Sequence, residues 1–122
     1  MSEDVVRLEF PAKPDYILAV RLVVSAIAER GGFGIDDIED LKVASAEACI
    51  LLLESQPELL HIQIAVGDGV SLEFTSQGQS GRAAEPKEDS LSQYLLEALV
   101  DSCEIVEESG VVTAVRFSKQ PI

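Results

Sequence analysis

Apolar and polar residues alternate over Val5-Val6-Arg7-Leu8-Glu9-Phe10, which predicts a strand closed by Pro11. Helical spacing takes over near Pro14, a residue tolerated at the first helical position, and stops at Gly31-Gly32. At the helical period Tyr16, Val20, Val23, Val24 and Ile27 share one face, the expected core side. Leu18 and Leu22 fall on the opposite side beside Ser25, a second apolar stripe that is unusual for a surface helix. A second helix should open around Ile35 to Asp37, where Asp36, Asp37, Glu39 and Asp40 suit the positive end of the helix dipole. Its buried stripe reads Ile38, Leu41, Ser45, Ala48, Cys49 and Leu52, and it should end near Ser55-Gln56-Pro57.

Strands follow over Leu59 to Val66 and Val70 to Thr75, joined by Gly67-Asp68-Gly69, because Asp-Gly is a strong hairpin signal. Ser76 to Asp89 is mostly polar or small and reads as the long loop of the chain. Ser90 with Gln93 makes a capping-box pattern, after which Leu91, Leu95 and Leu99 continue as a short helix. Cys103 to Val106 and Val111 to Phe117 close the chain as a hairpin around Glu108-Ser109-Gly110. No repeat or linker divides residues 1–122, so one domain is expected. The order of elements predicts an α+β fold, a two-layer sandwich of a mostly antiparallel mixed sheet with three helices on one face.

Composition narrows the function classes. Nine basic residues against 22 acidic ones give a formal charge of −13, which repels phosphate backbones and argues against nucleic-acid or anionic-membrane partners. The longest apolar run, Ala48 to Leu53, is far short of the roughly 20 residues that span a bilayer. Met1-Ser2-Glu3-Asp4 is acidic where a signal peptide would be basic. Cys49 and Cys103 lie in apolar patterns and form no C-x-x-C pair, so buried reduced thiols in a cytoplasmic protein are expected. His61 stands alone in a strand, and no metal site is expected. Ser25, Ser45 and Ser90 lack a His partner for nucleophilic catalysis.

Phe10-Pro11-Ala12-Lys13-Pro14-Asp15-Tyr16, Val20-Arg21-Leu22, Asp37 to Ala44 and Ala46-Glu47-Ala48-Cys49 together resemble the bacterial anti-sigma-factor serine kinases. Tyr94 to Asp101 and the closing hairpin look like the matching C-terminal part. Those kinases belong to the GHKL superfamily, with the Bergerat or histidine-kinase-like ATPase fold. The resemblance implies a protein that binds a sigma factor and an anti-sigma antagonist, the latter as the phosphate acceptor from Mg-ATP.

Position by position, the nucleotide motifs of that family are only partly matched. Its helical Glu, the general base, corresponds to Glu47, but the Asn that holds Mg²⁺ four residues later is Leu51. Leucine offers none of the oxygen ligands that Mg²⁺ requires. The Asp-x-Gly motif, whose Asp accepts from the adenine amino group, reads Ser76-Gln77-Gly78. The glycine-rich turn that opens the last helix to phosphates reads Glu88-Asp89-Ser90-Leu91-Ser92. Its two carboxylates would each cost on the order of 1 kcal/mol beside a triphosphate.

Glu47, Leu51, Ser76, Gly78, Ser90 and Ser92 are therefore the positions of a degenerate ATP site, with Glu47 a residual base position or simply a solvated helix residue. Leu51 is expected to point away from the core stripe and to fill the vacated cavity, with Ile50 at its side. Leu18, Arg21, Leu22 and Ser25 form the expected partner surface for a sigma factor, an antagonist or a second copy in a homodimer. The resulting expectation is a regulator acting by protein contact without a cofactor. The alternative is an active ATP-dependent serine-protein kinase.

Overall fold

The computed structural model describes residues 3–79 and 91–121. Five strands, β1 (Asp4–Pro11), β2 (Pro57–Gly67), β3 (Gly69–Gln79), β4 (Ser102–Glu108) and β5 (Val111–Lys119), form one sheet in the order β1-β2-β3-β5-β4. Every pairing is antiparallel. Three helices complete the α+β architecture: α1 (Ile17–Ala28), α2 (Ile35–Leu53) and α3 (Leu91–Leu99).

The two-residue period of a strand sorts the sheet into two faces. Leu60, Ile62, Ile64 and Val66 of β2 and Val70, Leu72 and Phe74 of β3 are buried under the helices. Phe117 stacks diagonally across the ladder on Phe74, with ring centroids 5.6 Å apart. The alternate residues face away from the helices and are mostly polar; there Arg116 donates to Glu73 at 2.5 Å and to Glu104 at 2.7 Å. A shallow cavity of about 460 Å³ on this face, lined by Gln63, Ser71, Glu104 and Arg116 among others, includes none of the expected site residues.

Several boundaries move, each for a local reason. β3 extends to Gln79, so Ser76, Gln77 and Gly78 lie in a strand and not in a loop. Backbone pairing with β2 (Leu60 with Ser76, Leu59 with Gln77) carries the ladder on, because ladder bonds do not need apolar side chains. Tyr16 is 39% exposed instead of facing the core. It belongs to a 3₁₀ turn, Pro14–Tyr16, whose tighter winding takes it off the α1 face, and its ring lies 6.3 Å from that of Phe10.

The helix faces shift in the same way. α2 packs between α1 and α3, so its buried arc is wider than one stripe and takes in Ala44 and Leu51 as well as Leu41, Ser45, Ala48, Cys49 and Leu52. Leu51 therefore belongs to the core cluster, 3% exposed, and does not point away from it. On α3 the expected stripe fails at its start: Leu91 is 71% exposed, while Leu96 is fully buried. The inward face is Ser92-Leu96-Leu99, spaced four and three residues apart, and its first member is a serine that a scan for apolar residues passes over.

Candidate functional site

The expected site forms where the second half of α2 meets the start of α3. Glu47 and Ser92, 45 residues apart in sequence, are joined: Ser92 Oγ donates to Glu47 Oε2 at 2.5 Å in a part-buried contact. Glu47 is thus half-buried and bonded, which corrects its reading as a solvated helix residue. Leu51, one turn along α2 from Glu47, is packed into the core. Ile50 beside it is 41% exposed and lies on the outer side.

In the family pattern, Mg-ATP here would draw on position 51 for the metal and on Glu47 for the attacking hydroxyl. The position that should anchor Mg²⁺ carries a buried hydrocarbon, and the carboxylate that should face the attacking hydroxyl accepts a hydrogen bond from the protein itself. A hard divalent cation takes oxygen ligands in near-octahedral geometry, so this donor set does not fit it. Among the described residues no group of three or more His, Cys, Asp or Glu is placed to hold a metal ion.

The middle motif sits at the end of β3. Ser76 Oγ is buried and has no hydrogen-bond partner in the structure. Gln77 faces the other way and pairs with His61 Nε2 at 2.6 Å, a side-chain contact across β2 and β3. Gly78 has a local reason for being glycine. Its φ of 74° is left-handed, and a Cβ there would come within 2.9 Å of Glu58 Oε2. Its retention is a backbone requirement and says nothing about a purine.

Ser90, with Glu88 and Asp89, lies outside the described residues, as does the proposed capping box that depends on it. The far end of the α2–α3 pair is described and is also tied. Lys119 of β5, only 9% exposed, donates to the Leu99 carbonyl at 2.7 Å and stands 3.8 Å from both Asp37 Oδ1 and Asp40 Oδ2. Glu47 near the α2 end meets Ser92 at the α3 start, whereas Asp37 and Asp40 at the α2 start share Lys119 with Leu99 at the α3 end. The two helices run antiparallel, fastened at both ends.

Sequence reasoning did not find Lys119: a single lysine at the end of a strand carries no pattern. The acidic crowd at the α2 N-terminus was the available signal, since four carboxylates there invite a cation. Cys49, on the buried face of α2, is fully enclosed, and burial pushes its thiol up to about 12. Cys103 is raised too, chiefly by burial and then by the charge of Glu97; both cysteines are free.

The α1 surface keeps its expected shape. Leu18 is 63% and Leu22 56% exposed, and the helix ILAVRLVVSAIA bears Arg21 as its one charged residue. Arg21 Nε is buried without a hydrogen-bond partner. Ser25 turns its hydroxyl back onto the Leu22 carbonyl at 2.9 Å, so of the four expected surface residues it is the least available to a partner. No helix among the described residues is long and apolar enough to cross a membrane.

No family model matches the chain. Curated proteins do. The chain is 33% identical to the serine-protein kinase RsbW of Bacillus velezensis, over 93% of this chain and 84% of that protein. It is 33% identical to the RsbW of Halalkalibacterium halodurans, over 91% of this chain and 81% of that protein. The RsbW of Bacillus subtilis is 29% identical over 93% and 84%, respectively. With this identity spread along nearly the whole chain, and with the two-layer sandwich and helix order described above, the chain belongs to the anti-sigma-factor serine kinase family of the GHKL superfamily.

Proposed function

We propose that the chain is a regulatory protein of bacterial partner switching that works by protein contact and has given up the nucleotide. Its partners are a sigma factor, an anti-sigma antagonist, or both, and its compartment is the cytoplasm. The single observation that carries the reading is the Ser92–Glu47 hydrogen bond beside a buried Leu51, where an Mg-ATP site would need a free carboxylate and an amide oxygen. The contact surface is α1, with Leu18 and Leu22 flanking Arg21. Exposed aliphatic side chains around an arginine have the composition of an interface hot spot. A homodimer through this helix is a further possibility within the same reading.

One observation favours a second reading, an active ATP-dependent serine-protein kinase. Ser76 Oγ, at the adenine position, is buried and unsatisfied, as a group awaiting a ligand would be. Thermal melting in rising Mg-ATP separates the two. A ligand at 100 times its Kd adds about 2.7 kcal/mol of stability, an easily measured rise in Tm. The expected result is no rise and no phosphate transferred to a serine of the antagonist. A rise, together with such transfer that is lost in Glu47→Ala, establishes the kinase.

A further inference from the structure

We infer that Ser92 and Glu47 form a fixed clasp that holds α3 against α2, so that the surface shared by these helices does not change with nucleotide. The inference rests on the reading above, because a nucleotide that entered this cleft would have to compete with the clasp.

Three features carry it. First, the hydroxyl that closes the contact stands in the stretch where the family pattern has a glycine-rich turn, and a glycine has no side chain to reach Glu47. The residue that removes the open turn is the one that makes the bond. Second, the clasp is the first of three attachments along the inward side of α3. Leu96, one turn on from Ser92, is fully buried, and the Leu99 carbonyl accepts from Lys119. Third, Leu91 and Tyr94, 71% and 64% exposed, ride on the outside of this short helix, so their placement follows the position of α3 as a whole. A nine-residue helix is too short to be stable by itself, and its position is decided by such contacts. Glu47 is thereby a positioning residue, holding α3 in place through Ser92.

Amide hydrogen exchange over Leu91–Leu99 in the full chain tests the clasp, with the amides of β3 as the control for intact folding. In the parent protein these α3 amides should exchange at the same rate with and without Mg-ATP. Ser92→Ala and Glu47→Ala should each speed exchange about fivefold, the effect of losing one ordinary hydrogen bond. The double variant should be no faster than either single one, since both remove the same contact. Glu47→Gln should stay near the parent rate, because its amide oxygen still accepts.

Unchanged exchange in Ser92→Ala, or fully additive effects in the double variant, overturns the clasp and leaves the functional reading standing. Slowed exchange of the parent α3 on adding Mg-ATP overturns both. If Glu47→Ala also loosens β3, Ser92→Ala and Glu47→Gln alone decide the matter.

Discussion

The two flanks of α2 have been treated in opposite ways. Toward α3, polar groups have turned inward: Glu47 is held by Ser92, Lys119 satisfies the Leu99 carbonyl, and Leu51 is sealed in the core. Toward α1, an apolar surface has been left outside, with Leu18 and Leu22 more than half exposed around Arg21. An exposed aliphatic stripe gains nothing for the isolated chain, and the proposed function gives it a covering partner. At the α2–α3 contact the Glu47 carboxylate is already engaged by Ser92. The contrast sets a closed polar contact between α2 and α3 against an open apolar face on α1, and the proposed contact surface is the second of these.

The contrast can be broken most directly at Leu51. If the cleft were open, Leu51→Asn would restore a family feature at little expense. With Leu51 packed, the change buries an unpaired amide and removes apolar contact, and it should cost about 3 kcal/mol in urea unfolding. A loss below about 0.5 kcal/mol would mean that the cleft is not closed.

On the α1 side the reverse holds. Leu18→Asp with Leu22→Asp should leave unfolding stability within about 0.5 kcal/mol of the parent, as exposed substitutions do. Capture of the sigma factor or antagonist should fall at least tenfold, about 1.4 kcal/mol, in a titration with purified partner. A large stability loss with unchanged capture would show the stripe to be core.

A pH-dependent effect reports on the dryness of the layer around Cys49. Cys49 keeps its proton up to about pH 12 when folded, while in the unfolded chain it loses it near 9. The folded state then binds more protons than the unfolded one, so stability falls as pH rises above 9, by up to about 1.4 kcal/mol per unit. Below pH 9 both states are protonated and this contribution is constant. Cys49→Ala should flatten that part of the pH–stability curve, and an identical slope in both proteins would mean that water reaches the thiol. The smallest effect is the Tm change with Mg-ATP, for which the expectation is zero.

Much of the fold was legible in the sequence, for identifiable reasons. The β2–β3 hairpin announces itself through Gly67-Asp68-Gly69, and the exposed stripe of α1 through Leu18 and Leu22, because each depends on residues close together in the chain. The extension of β3 through Ser76-Gln77-Gly78 was not legible. Its polar residues gain their strand conformation from hydrogen bonds to β2, which a composition scan does not see. Leu51 was placed on the wrong side for a related reason: helical periodicity orients residues around an axis but does not say that α2 is covered on both flanks.

For the candidate site, the sequence alone showed that Leu51 offers no oxygen to a magnesium ion, wherever it sits. It also determined that the surface would be acidic and that α1 would carry an unusual second apolar stripe. Only the tertiary structure decided which groups meet around that position. Ser92 and Glu47 are 45 residues apart, Lys119 is 20 residues from Leu99, and neither contact has a local sequence signature. Hydrogen bonds act over about 3 Å and are blind to separation along the chain. Side-chain identity fixes what each group is able to do, and packing fixes the partner with which it does it.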